Sequence, residues 1–94
     1  MAITFSWDDE KNDKLYKERG VSFEIVVSYL ENGEVLAIVP GKGKYVHQQQ
    51  FIIVMWGYAY IVPFVEKGSE IFLKTIIPSR KLTKIYLSKR GLEP

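Results

Sequence analysis

The chain has 94 residues, of which 47% are hydrophobic and 26% charged, and it contains no cysteine. This composition excludes a disordered chain, which needs low hydrophobicity and high net charge. The lack of cysteine excludes disulfides, thiolate metal sites and cysteine nucleophiles. The length predicts one domain over residues 1–94, and the apolar runs are too short to span a membrane. Because no signal peptide is visible, we expect a cytoplasmic protein with no membrane partner.

Two helices are predicted in the first third of the chain. The segment from Trp7 to Gly20 begins with acidic residues and ends with basic ones, which suits the helix dipole. Asp8 or Asp9 is a candidate N-cap, and Gly20 stands where a left-handed residue ends a helix. A second helix is expected from Ser22, another N-cap residue, to Asn32-Gly33.

The middle of the chain predicts strands. Residues 34–40 alternate loosely between apolar and polar, and runs rich in Val, Ile, Tyr and Phe follow at 49–56, 58–65 and 70–77. Short turns between these runs favour an antiparallel meander. Pro63 lies inside the second run and has no N–H for the ladder, so a bulge or an unpaired position is expected there.

A last helix is expected to open at Pro78-Ser79-Arg80 and to end near Gly91. Its spacing places one apolar side toward the sheet and one basic side away from it. The apolar side comprises Leu82, Ile85 and Tyr86, and the basic side comprises Arg80, Lys81 and Lys84. The predicted fold is therefore α+β, with two N-terminal helices, a four-stranded antiparallel sheet and a C-terminal helix.

The charge of the chain is unevenly distributed. The net charge is +2, yet the stretch from Lys74 to Arg90 holds six cations and no acid. Such a stretch favours contacts with phosphates, and the alternative is an ordinary solvated helix face. The acids near the N-terminus are better explained as helix-start residues than as metal ligands, so no metal and no cofactor are expected.

Three residues are candidates for catalysis. His47 is the only histidine, the residue type whose unperturbed pKa lies near neutrality, and it could act as a general base or be an exposed loop residue. Lys74 is predicted to share a strand face with Phe72 and Ile76, and it could point into a cleft or extend from a sheet edge. Arg80 stands in the first turn of the last helix, where a cation is unfavourable for the helix dipole, so a functional role is expected.

These residue types suit cleavage of RNA without a metal. The reaction needs a base for the ribose 2′-hydroxyl, cations for the pentavalent phosphorane and an acid for the leaving oxygen. Arginine and lysine suit the second role, and aromatic rings stack on bases. The expected RNA-binding residues are Lys81, Lys84, Tyr86 and Tyr58.

Two stretches of the chain resemble the BrnT family of type II toxin–antitoxin toxins. The opening, Phe5-Ser6-Trp7-Asp8-Asp9-Glu10-Lys11 followed by Arg19-Gly20-Val21-Ser22-Phe23, is similar to the family's Phe/Trp-Asp-x-x-Lys and Lys-His-Gly-Val-x-Phe motifs. The closing stretch, Ile76-Ile77-Pro78-Ser79-Arg80, is similar to its Ile-Ser-Ala-Arg motif, so Arg80 matches a family arginine. Departures at Leu15, Arg19 and Pro78 indicate a divergent subgroup.

The resemblance implies a RelE-like fold and an endoribonuclease that blocks translation by cleaving mRNA, free or on the ribosome. It also implies a DNA-binding antitoxin as partner. Alone, the protein could form a homodimer through an exposed apolar surface or a sheet edge. The alternatives are a non-catalytic module of the same fold that binds nucleic acid or protein, and a purely structural partner in a complex.

Overall fold

The computed structural model describes residues 3–41, 43 and 48–89. Within these residues, no helix is long and apolar enough to cross a membrane. The described part of the chain forms three helices and six strands. They are β1 (Thr4–Ser6), α1 (Asp9–Arg19), α2 (Phe23–Glu31), β2 (Ala37–Pro40), β3 (Gln49–Met55), β4 (Tyr58–Lys67), β5 (Glu70–Leu73), β6 (Ile77–Pro78) and α3 (Arg80–Lys89).

The caps of the first two helices confirm the sequence prediction. The Asp8 carboxylate accepts hydrogen bonds from the backbone N–H groups of Glu10 and Lys11 and so begins α1. Gly20 ends that helix at φ 71°, in the left-handed conformation that glycine adopts without strain. The Ser22 hydroxyl accepts from the N–H of Ile25 at 3.3 Å and caps α2.

The sheet is mixed, which corrects the expected four antiparallel strands. Its order is β1-β5-β4-β3-β2, and β6 pairs with β4 beyond the end of β5. β1 runs parallel to β5, with Thr4 opposite Glu70. A strand of three residues is too short to show an alternating pattern, and β6 has only two residues. β1 was therefore not predicted, and the run predicted at 70–77 is divided between β5 and β6.

The expected irregularity at Pro63 is present, and the extra residue lies opposite β4, in the segment between β5 and β6. β3 pairs with β4 without interruption through Gln50 and Pro63. On the other side of β4, Phe64 pairs with Leu73 and Ile61 pairs with Ile77. Three residues, 74–76, thus face two residues, 62–63, as in a bulge. The Pro63 carbonyl still accepts from the Lys74 N–H at 2.8 Å.

The bulge corrects the predicted face of Ile76. An extra residue reverses the alternation of side chains that follows it. Ile76 is therefore fully buried in the core with Leu73 and Ile71, while Lys74 and Phe72 are on the other face of the sheet. The prediction that Lys74, Phe72 and Ile76 share one face is wrong for Ile76.

The two faces of the sheet carry different helices. The main core joins α1 and α2 to one face, through side chains that include Phe23, Val26, Ile53, Val62 and Leu73. Alternation places Ile52 and Ala59 on the opposite face, where both are buried. That second face receives α3, which contacts β4. The sheet is thus the middle layer of an α/β/α arrangement.

Candidate functional site

A cleft lies between α3 and the second face of the sheet. Its volume is about 510 Å³, within the range of small-ligand sites. The floor is apolar, and polar groups from β3 and α3 stand around it. The lining residues are Val39, Pro40, Gln50, Ile52, Ile61, Ser79, Lys81, Leu82 and Tyr86.

Local hydrogen bonds fix the start of α3 against the sheet. The Ser79 hydroxyl accepts from the Leu82 N–H at 3.2 Å and caps the helix. The Ser79 N–H donates to the Ala59 carbonyl at 2.9 Å. The Thr83 hydroxyl accepts from the Ala59 N–H at 2.8 Å and donates to the Ser79 carbonyl at 2.7 Å. The wall of the cleft that α3 forms is therefore anchored at the helix N-terminus.

The basic residues of α3 are divided between the cleft and the solvent. Lys81 lines the cleft, although the helical spacing predicted it on the side away from the sheet. Arg80 and Lys84 are exposed and do not line the cleft. Of the three residues predicted to face the sheet, Leu82 and Tyr86 are half-buried, whereas Ile85 is 38% exposed.

Lys74 belongs to a different part of the same sheet face. It lines a shallow groove of about 340 Å³ together with Val65, Lys67, Glu70 and Phe72. Its ammonium nitrogen lies 5.4 Å from the centre of the Phe72 ring, within the range of a cation–π contact. Lys74 is thus held at a groove of β4 and β5, whereas Lys81 lines the cleft under α3.

The other predicted site residues do not join the cleft. Tyr58 is half-buried and lies on the strand face that carries the main core, edge to face with Tyr60 at a ring-centre distance of 5.8 Å. It is therefore on the side of the sheet opposite Tyr86. His47 lies outside the described residues.

The reading of the sequence missed Gln50 as a site residue. It follows two other glutamines and looks like the polar start of a strand. Its position depends on register, because Gln50 pairs with Val39 on one side and with Pro63 on the other, in the interior of the sheet. The strand alternation of β3 was the available signal, since Gln50 and Ile52 must share a face.

No family model, curated protein or solved structure matches the chain in comparisons with known proteins. Among the described residues, no three His, Cys, Asp or Glu side chains come together as a potential metal site. The cleft is lined by one cation, Lys81, an aromatic ring, Tyr86, and a carboxamide, Gln50, which is chemistry suited to binding a nucleotide.

Proposed function

We propose that this protein is a toxin of a BrnT-like type II toxin–antitoxin pair, and that it acts in the cytoplasm as a metal-independent endoribonuclease. In this proposal it blocks translation by cleaving mRNA, free or on the ribosome, and a DNA-binding antitoxin neutralises it. The support from the sequence is the similarity of the opening and closing motifs to that family, with Arg80 in the place of its arginine.

The observation that carries the proposal is the cationic start of α3 beside the cleft. Arg80 and Lys84 are exposed and Lys81 lines the cleft, while the ten residues of α3 include no acid. An RNA phosphate placed there would meet several cations and no opposing charge from the helix. The guanidinium of Arg80 matches two phosphate oxygens at once, which suits the charge that develops on the phosphorane.

A second candidate is the non-catalytic binding module of the same fold. The observation that favours it is the separation of the predicted catalytic residues. Lys74 lines the groove of β4 and β5, and Arg80 does not line that groove. A module that only holds RNA needs no converging acid and base, because phosphate contacts alone supply affinity.

The experiment that separates the two candidates is RNA cleavage in excess EDTA. End-labelled single-stranded RNA, with and without ribosomes, is incubated with the wild type and with Arg80→Ala. We expect the wild type to cut and the variant to be slower by about a hundredfold or more, as when one group that stabilises the transition state is lost. Circular dichroism checks that the variant is folded.

Lys14→Ala is the matched control, because Lys14 is an exposed helical cation on α1, beyond the other face of the sheet. It loses the same charge and should cut at the wild-type rate. Intact RNA under both conditions would reject the nuclease and leave the binding module. Equal cutting by Arg80→Ala would remove Arg80 from the mechanism.

A further inference from the structure

The cleft under α3 combines an apolar floor with polar groups of four kinds, one of which is Ser79, whose hydroxyl caps α3. Ile52, Ile61 and Leu82 contribute apolar surface from the sheet and the helix. Gln50 contributes a carboxamide, Tyr86 an aromatic ring and Lys81 an ammonium group. No acidic side chain is among the lining residues. A flat, partly apolar ligand with an attached anion therefore fits the chemistry of this cleft better than a cation or an acidic peptide.

Each of the other three groups corresponds to one part of a nucleotide. The carboxamide of Gln50 offers a donor and an acceptor side by side, which is the pattern on the edge of adenine. The ring of Tyr86 offers a face on which a base can stack. Lys81 is a mobile point charge, which suits a phosphate. All three side chains line the same cleft.

We propose that this cleft binds one unpaired nucleobase of a single-stranded RNA, that Gln50 contacts its hydrogen-bonding edge, and that adenine is the preferred base. Adenine is favoured because its amino group has a ring-nitrogen acceptor on either side, so the carboxamide can pair with it in two orientations. The inference rests on the proposed function only in naming RNA as the ligand, and it requires no cleavage.

The chain provides a matched pair of glutamines for the test. Gln50 lines the cleft, whereas its neighbour Gln49 is exposed and points to the opposite face of β3. Gln50→Leu and Gln49→Leu make the same chemical change on the two faces of one strand. Thermal unfolding of both variants shows whether either substitution disturbs the fold.

The measurement is binding of oligoadenylate and oligouridylate, each blocked by 2′-O-methyl groups so that neither is cleaved. We expect the wild type to bind oligoadenylate about tenfold more tightly than oligouridylate. This ratio is near the lower end of the discrimination that a side chain with two hydrogen bonds to a base provides. Gln50→Leu should abolish this preference, and Gln49→Leu should retain it. Tyr86→Leu should weaken both ligands about equally, because stacking does not depend strongly on the base.

Nuclear magnetic resonance tests the same contact in the wild-type protein, so the result does not depend on whether the variants fold. The side-chain amide signals of Gln50 should shift when oligoadenylate is added to the wild type, and those of Gln49 should not. An unmoved Gln50 signal, or a base preference that survives in Gln50→Leu, would overturn the proposal. So would a dimer that Gln50→Leu dissociates, because the cleft would then be an interface between two copies.

The outcomes separate this inference from the proposed function. Gln50-dependent binding together with intact unmodified RNA would reject the nuclease and support the base site. Cleavage of unmodified RNA without any change at Gln50 would support the nuclease and reject the base site.

Discussion

At the scale of single residues, Asn12 joins the first two helices. It is 8% exposed, and its carbonyl oxygen accepts from the Phe23 N–H at 2.7 Å. Its amide nitrogen donates to the Glu24 carboxylate at 2.8 Å. The second helix is therefore capped twice, by its own Ser22 and by a residue of the preceding helix. The sequence did not reveal this contact, because a lone Asn in a charged helix looks like a solvated residue.

The contact with Asn12 lowers the pKa of Glu24. The hydrogen bond from Asn12 is the main reason that the pKa of Glu24 lies below its ordinary value of 4.5, and the bond from its own backbone N–H adds to it. Because the pKa is lower in the folded state than in the unfolded state, the interaction stabilises the fold fully at pH values above the ordinary pKa of glutamate. That contribution is lost as the pH falls through the lowered pKa.

We expect Asn12→Ala to lower the free energy of unfolding by about 1–3 kcal/mol at neutral pH, because the Phe23 N–H is left buried without an acceptor. The difference from the wild type should narrow as the pH falls through the pKa of Glu24. Urea unfolding at a series of pH values measures both effects. Asn32→Ala, at an exposed asparagine, is the control, and an equal loss in the two variants would contradict the assignment.

At the scale of elements, the β3–β4 hairpin carries an unusual turn. Met55 pairs with Tyr58, so the loop consists of Trp56 and Gly57, at φ 55° and 75°. Two positive φ values are the mark of a type I′ turn, which favours asparagine, aspartate or glycine. A tryptophan in the left-handed region is strained, and this one is 62% exposed. The strain is therefore not offset by burial in the monomer.

Replacing this tryptophan should stabilise the protein. We expect Trp56→Asn to raise the free energy of unfolding by about 1 kcal/mol, because asparagine tolerates the left-handed conformation. Chemical denaturation measures the change. Tyr16→Asn is a matched control, because Tyr16 is also 62% exposed but lies in α1. The control should be neutral or destabilising, and a destabilised Trp56→Asn would show that the ring makes contacts that matter for folding.

Elements with a local signal could be predicted from the sequence, and elements that depend on register could not. The first two helices were predicted from their caps, and β3 and β4 from their β-branched runs. β1 was missed because its three residues form a strand only by pairing with residues 70–72, which are distant in the sequence. In the site, Lys81 and Tyr86 could be found from composition. Strand alternation could place Gln50 on the face of Ile52, but not in the cleft, because that position depends on which strands and which helix lie beside it.

At the scale of the whole molecule, the sheet separates a helix of balanced charge, α1, from a basic helix, α3. α1 begins with Asp9 and Glu10 and ends with Lys17 and Arg19, so its charges balance along the helix. α3, on the other side of the sheet, has no acid. A polyanion would therefore be attracted to the α3 side, and its affinity would fall as salt screens that attraction.

The salt dependence of RNA binding tests this orientation. We expect the plot of log affinity against log salt to lose about 0.7 from its slope in Lys84→Ala, the amount for one phosphate contact to a single strand. Lys14→Ala removes the same charge from the opposite side of the sheet and should keep the wild-type slope. Equal slopes in the two variants would mean that RNA has no preferred side.

The parallel pairing of β1 with β5 has a consequence for how the protein is made. Thr4 donates its N–H to the Ser69 carbonyl at 3.0 Å, and the Ser6 hydroxyl donates to the Glu70 carboxylate at 2.6 Å across 64 residues. A growing chain appears from its N-terminus at about 5–20 residues per second. β1 therefore remains unpaired for several seconds, until β5 has been synthesised. The protein can therefore complete its sheet only after residues 70–78 have been synthesised.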